Sequence, residues 1–172
     1  MITKPIKQII WLACLMIPFW VGAQAKSSFT ESSASSRVVA EKYFTAYIKR
    51  DWDTLEPLLA PEGSFIDLTA EPIFGKVENI GKEATIQNFR VNYSSITHME
   101  FEKTRAFFSG KYGVFEGTLD WTIKVAEGQE IATKAMPFVA ILKVENEQIV
   151  EHKDFADYAP FIEGVKKLKK KK

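Results

Sequence analysis

Apolar side chains follow two different periods along this 172-residue chain, and the point where the period changes divides it. Val38, Val39, Tyr43, Phe44, Tyr47 and Ile48 recur at three- and four-residue steps, which predicts a helix over 36–49 capped by Ser35 or Ser36. A shorter helix is expected from Asp53 to Leu59, capped by Asp51 and stopped by Pro61-Glu62-Gly63. Phe65 to Leu68 reads as a short strand, followed by a long loop through Pro72, Gly75 and Gly81. Ile86, Phe89 and Arg90 then mark a third helix from Lys82 to Tyr93.

Past residue 97 the period falls to two. Met99, Phe101, Lys103, Arg105 and Phe107 alternate with His98, Glu100, Glu102, Thr104 and Ala106. Ser109-Gly110, Glu127-Gly128 and Asn146-Glu147 supply turns between this strand and three more: Tyr112–Val125, Ile131–Val144 and Gln148–Phe155. Short turns make such strands an antiparallel meander. Pro137 cannot donate to a ladder, so a bulge or bend is expected there. Tyr158, Phe161, Ile162 and Val165 suggest a closing helical turn. The fold class expected is α+β: a strongly curved antiparallel sheet with three N-terminal helices closing its concave side, which the resemblance described below makes a conical pocket. Val114, Glu116, Thr118, Asp120 and Thr122 share the face opposite Phe115 and Trp121, and the next strand is apolar on both faces. A sheet covered twice points to a homodimer through its outer face.

The ends of the chain change the picture. Lys4 and Lys7, the apolar run Ile9–Val21 and the exit Gly22-Ala23-Gln24-Ala25 have the three parts of a secretory signal. The run is shorter than the roughly twenty residues of a permanent span. The expected organisation is a signal peptide at 1–25, a serine-rich disordered leader at 26–35, one domain at 36–163 and a lysine-rich tail at 164–172, with the mature protein periplasmic or secreted. Cys14, the only cysteine, leaves with the signal, so neither disulfides nor thiol chemistry is expected. Of 23 basic residues, two lie in the signal and six in the closing run, which leaves 15 against 22 acidic residues in the body. An acidic globule is a poor nucleic-acid binder, though the tail can touch anionic surfaces. No phosphate-cradling glycine loop, nucleophile elbow or dinucleotide fingerprint appears, and no cofactor is expected.

Four segments carry a family resemblance: AEKYFTAYIKRDWDTLEPLLAPEGSF, the helix start Gly81-Lys82-Glu83-Ala84, FEGTLDW, and the closing VENEQIVEHKDFADYAPF. Their order resembles the cone fold of nuclear transport factor 2 in its SnoaL-like, polyketide-cyclase-like branch, alongside ketosteroid isomerase and limonene-epoxide hydrolase. The resemblance covers 37 to about 162 and implies a pocket between sheet and helices. It places Asp154, on the last strand with His152 on the same face, and Asp120, midway along the long central strand, as catalytic candidates in that pocket. Two carboxylates in a low-dielectric pocket separate into one acid and one base. The epoxide hydrolases carry an arginine two residues before the central acid, where this chain has Thr118, with Arg105 as a possible substitute. Isomerase-like chemistry needs a base and an oxyanion donor, for which Asp67 and Tyr47 are on offer. His152 and the only other histidine, His98, show no tight ligand spacing, and no metal is expected.

Tyr47, Trp52, Arg105, Thr118 and Phe138 complete the ligand-binding candidates, while Tyr43, Tyr93 and Tyr112 also have hydroxyls to offer. The leading functional expectation is an exported protein that binds a hydrophobic small molecule in an apolar pocket. Its rivals are an acid/base isomerase, cyclase or hydrolase working through Asp120 and Asp154, and a non-catalytic structural or interaction module.

Overall fold

The computed structural model describes residues 29–170, so the expected signal peptide lies outside the described residues. The first helix, α1 (Phe29–Lys49), starts earlier than its apolar pattern suggests and takes in most of the serine-rich stretch expected as a loose leader. Two hydroxyl contacts explain this. Ser33 Oγ bonds back to the Phe29 carbonyl and also accepts from Gly110 N across the β-turn, at 2.8 Å each, while Ser36 is buried. The Ser33 hydroxyl thus has fixed partners. Asp51 caps the short α2 (Trp52–Leu55) by accepting from Thr54 N at 3.1 Å.

Strand β1 (Leu59–Asp67) begins at Leu59, where the second helix was expected to end, and Pro61-Glu62-Gly63, expected as the stop between helix and strand, sits inside it at a register break. The long loop beyond contains a helical turn, α3 (Glu71–Phe74), and an edge strand, β2 (Val77–Ile80). Helix α4 (Lys82–Asn92) leads through a 3-10 turn into β3 (Ile96–Ser109), β4 (Tyr112–Ala126), β5 (Gln129–Glu145) and β6 (Gln148–Ala156). Asn146 and Glu147 both have positive φ, at 49° and 59°, as the tight β5–β6 hairpin requires. Helix α5 (Ala159–Lys169) closes the chain and includes three lysines of the expected tail.

The six strands run in the order β2-β1-β6-β5-β4-β3. The expected strongly curved, all-antiparallel sheet that closes a conical pocket under three N-terminal helices is therefore corrected, although the α+β class stands. The sheet is open, with β2 and β3 as free edges, and β1 pairs with β6 in parallel. Two strands, β1 and β2, precede α4, where one was expected. Hairpin turns reveal neighbours only among consecutive strands, and β1 finds its partner nearly ninety positions on. Pro137 is also corrected. It pairs in register with Thr118, and the bulge falls at Lys134-Ala135, where Ala135 has φ 49°.

The core lies between α1 and the inner sheet face. Tyr43, Phe44 and Tyr47 turn inward from α1, and Phe44 stacks on Phe115 of β4 with ring centroids 4.2 Å apart. On the opposite face Val114, Val139 and Ile141 are half-buried and Phe107 is exposed.

Candidate functional site

Inner-face side chains of β1 and β6 come together because the two strands run parallel in register. Phe65 pairs with His152 and Asp67 with Asp154. Neighbouring strands lie about 4.8 Å apart, so the two carboxylates leave the sheet side by side. Helix α1 brings Tyr43 and Tyr47, four residues apart and so on one helical face, down onto this row.

A buried hydrogen-bond chain results. The Tyr47 hydroxyl donates to Asp154 Oδ2 at 2.6 Å, and His152 Nε2 lies 2.8 Å from Oδ1 of the same carboxylate. With Nε2 protonated, His152 donates to Asp154 and its Nδ1 accepts from the Tyr43 hydroxyl, 3.3 Å away. Tyr47 has spent its proton on Asp154, so Tyr93 donates to the Tyr47 oxygen across 2.7 Å. Every link has one donor and one acceptor. Burial pushes the phenols of Tyr43, Tyr47 and Tyr93 well above the usual tyrosine range, and the charge of Asp154 adds to the effect. They act as hydrogen-bond donors, not as bases.

Asp67 has its own support. Thr69 donates to Oδ1 through both its backbone N and its Oγ1, at 2.9 Å each, and the Tyr158 hydroxyl donates to Oδ2 at 2.5 Å. Burial raises the Asp67 pKa above the ordinary carboxylate value; the Tyr158 bond opposes this and the charge of Asp154 reinforces it. Tyr158 is itself raised, first by burial and then by Asp67.

Both carboxylates open onto a recess of about 420 Å³. Leu119, Trp121 and Ile123 of β4 and Met136 and Phe138 of β5 make its apolar floor, while Met99 and Ile96 come from β3. Asn79, Asn88 and Asn92 line it from β2 and α4, and Phe74, Tyr93 and Tyr158 also face it. The recess is half-open. A volume in the range of small-molecule sites, with mostly apolar walls and a few convergent polar groups, is suited to a compact ligand.

The sequence candidates divide sharply. Asp154, Tyr47 and Phe138 line the recess, and His152, fully buried, stands behind Asp154. Asp120 does not share a chamber with Asp154. It lies between Leu119 and Trp121, both buried and both in the recess wall, so strand alternation turns it to the outer face. There it accepts from Ala135 N at 2.8 Å and Lys134 Nζ at 2.5 Å, which pins the bulge, and these two contacts hold its carboxyl below the usual range. Thr118 shares that face. Arg105 is exposed and bonds Glu116 at 2.6 Å, so it cannot substitute for an arginine in the recess. Trp52 stacks on Phe89 with centroids 4.9 Å apart and joins α2 to α4 instead of contacting the recess. Tyr112 is exposed.

Asp67 is thus the second carboxylate that faces the recess beside Asp154, and Tyr158, which bonds it, had no place among the candidate site residues. The signal for Tyr158 was its place just before a helix that returns over the recess, where Phe161 packs on Trp121 at 5.3 Å.

An α+β domain with an open mixed sheet and a half-open, carboxylate-bearing recess is the class that fold and site define. Within that class the chain belongs to the SnoaL-like domain family, whose model matches residues 40–152. It is similar to the crystal structure of a provisional SnoaL-like polyketide cyclase from Shewanella denitrificans OS-217, at 21% identity and TM-score 0.67, over 77% of this chain and 97% of that one. A second such protein, from Shewanella putrefaciens CN-32, aligns at 22% identity and TM-score 0.66, over 76% of this chain and 95% of that one. An LEH-like epoxide hydrolase from M. tuberculosis aligns at 16% identity and TM-score 0.61, over 78% of this chain and 92% of that one. No curated protein matches the chain. At these identities the likeness establishes the fold, and that fold hosts several chemistries.

Proposed function

We propose that the protein binds a small, largely apolar molecule in the recess and anchors one polar group of it at the Asp67–Asp154 end. The observation that carries this reading is the contrast within one cavity: a floor of Leu119, Met136 and Phe138 beneath two carboxylates, Asp154 buried and Asp67 half-buried, already oriented by tyrosines. Prior orientation lowers the ordering cost of binding. Calorimetric titration with 4-phenylbutanol tests it. The expected result is saturable one-site binding to the wild type that is lost in Met99→Trp, which fills the recess from its β3 wall. Equal binding by both proteins would place the molecule elsewhere.

A second reading is favoured by the paired acids themselves. Asp67, with its raised pKa, is suited to supply a proton while Asp154 accepts one, which is the division of labour that proton transfer beside a carbonyl needs. This acid/base reading replaces Asp120 with Asp67. Its measure is deuterium uptake next to the carbonyl of 4-phenyl-2-butanone. Exchange above the buffer rate, abolished in Asp154→Asn with affinity kept within a few-fold, is the expected outcome; exchange at the buffer rate in the wild type would leave a binding protein without this chemistry. The match to a hydrolase-like and two cyclase-like folds is compatible with either reading.

We also infer that the protein acts outside the cytoplasm after losing residues 1–25, and that two copies pair through the outer sheet face. The first rests on the N-terminal sequence pattern and the second on the exposed Phe107 beside half-buried Val139 and Ile141. N-terminal sequencing of the processed protein tests the first, with Lys26 as the expected new end.

A further inference from the structure

Three of the four charged side chains that line the recess are acidic. Asp67 and Asp154 lie inside it as register partners, and Glu78 stands at its β2 side. Lys76 is the only cationic residue among those lining it, and its ammonium is largely exposed and paired with Glu78. Arg50 comes near from below, where its Nη1 donates to the Ile96 carbonyl, but it is not part of the lining. Any ligand that fills the recess therefore meets two carboxylates with no basic side chain between them. A carboxylate or phosphate ligand would add a third negative charge in a site partly shielded from water.

The walls add a second preference. Phe74, Trp121 and Tyr158 face one another around the Asp67 end, with centroids 6.1 Å apart for Phe74–Trp121, 5.7 Å for Phe74–Tyr158 and 6.1 Å for Trp121–Tyr158. Tyr93 and Phe65 continue the aromatic lining toward Asp154, with centroids 6.5 Å apart. Ring faces carry negative potential and attract organic cations, most strongly where water is excluded. The ring cluster and the acid pair are separate features that favour the same charge.

We propose that the ligand of this recess is an organic cation: a compact apolar molecule bearing an amine or quaternary ammonium group, seated between the Asp67–Asp154 pair and the Phe74–Trp121–Tyr158 rings. The inference rests on the small-molecule reading above and narrows it by charge. The cation relieves the repulsion between neighbouring carboxylates, and its alkyl or aryl body covers Leu119, Met136 and Phe138.

Three ligands on one skeleton separate the possibilities: 4-phenylbutylammonium, 4-phenylbutanol and 4-phenylbutanoate, titrated calorimetrically into the purified protein at pH 7. The expected order is ammonium about tenfold tighter than alcohol, with the carboxylate weakest. In Asp67→Asn the ammonium should lose that advantage while the alcohol keeps its affinity. Alcohol binding as tight as ammonium in the wild type, or carboxylate binding tightest, overturns the charge assignment and leaves the small-molecule reading standing. Absence of binding by all three overturns both. The wild-type series decides the question without the variant, and Phe74→Ala, which removes an exposed ring, supplies an independent arm: it should weaken ammonium more than alcohol.

Discussion

Asp67 and Asp154 lie on neighbouring strands and face the same recess, yet their surroundings differ. Asp154 receives Tyr47 and His152, whereas Asp67 receives Thr69 and Tyr158 and is held above the ordinary carboxylate pKa by burial. A raised pKa means that the folded protein binds the proton more tightly than the unfolded chain. Stability contributed by this group is present at low pH and declines as pH rises from the ordinary carboxylate value through the raised one. Asp67→Asn should flatten that segment of a stability–pH curve measured by urea unfolding at successive pH values; an unchanged slope would contradict the raised pKa. At this scale the sequence was half legible. His152 and Asp154 are two apart on a strand, so their common face could be read directly. Asp120 was misplaced because family position was weighed above strand parity, and its neighbours Leu119 and Trp121 already pointed inward. Asp67 could be named but not placed, since its partner strand could not be known.

Elements hold these side chains through close approaches. Gly113 of β4 lies under α1, where an added Cβ would come 2.8 Å from Ala40 Cβ and 3.1 Å from Phe108 Cε1. Ala40 is fully buried and sits one turn before Tyr43, so Gly113→Ala should lift α1 and loosen the tyrosine contacts below it. We expect a loss of about 1–3 kcal/mol in urea unfolding, together with weaker ligand binding. A neutral effect would mean that α1 is not seated firmly on the sheet. Helices α1 and α4 and the four long strands were visible as periodicity, because their patterns extend over many residues. The first half of β1, strand β2 and the turn α3 were hidden for the opposite reason. Phe65–Asp67 could be read as a strand, but the half before it contains Pro61 and Gly63, and Val77–Ile80 is four residues long, so neither has an alternation to detect.

The whole molecule is an open sheet with one face covered by helices and a recess at their margin. Pairing of two copies through the outer face predicts that Val139→Glu, opposite Phe155 in the ladder, shifts sedimentation from dimer to monomer without changing the fold. A wild type that sediments as a monomer at all concentrations would end that proposal. Family membership follows from residues 40–152, and the β1–β6 register is what brings Asp67, rather than Asp120, beside Asp154 at the recess. On the proposed function the recess above Leu119 and Met136, and no other surface, receives the ligand. Backbone amide chemical shifts recorded during titration with 4-phenylbutanol test it directly. Saturable perturbations should gather at Asp67, Tyr93, Leu119, Trp121 and Asp154. Perturbations confined to outer-face positions such as Glu116, Asp120 and Lys134 would contradict it.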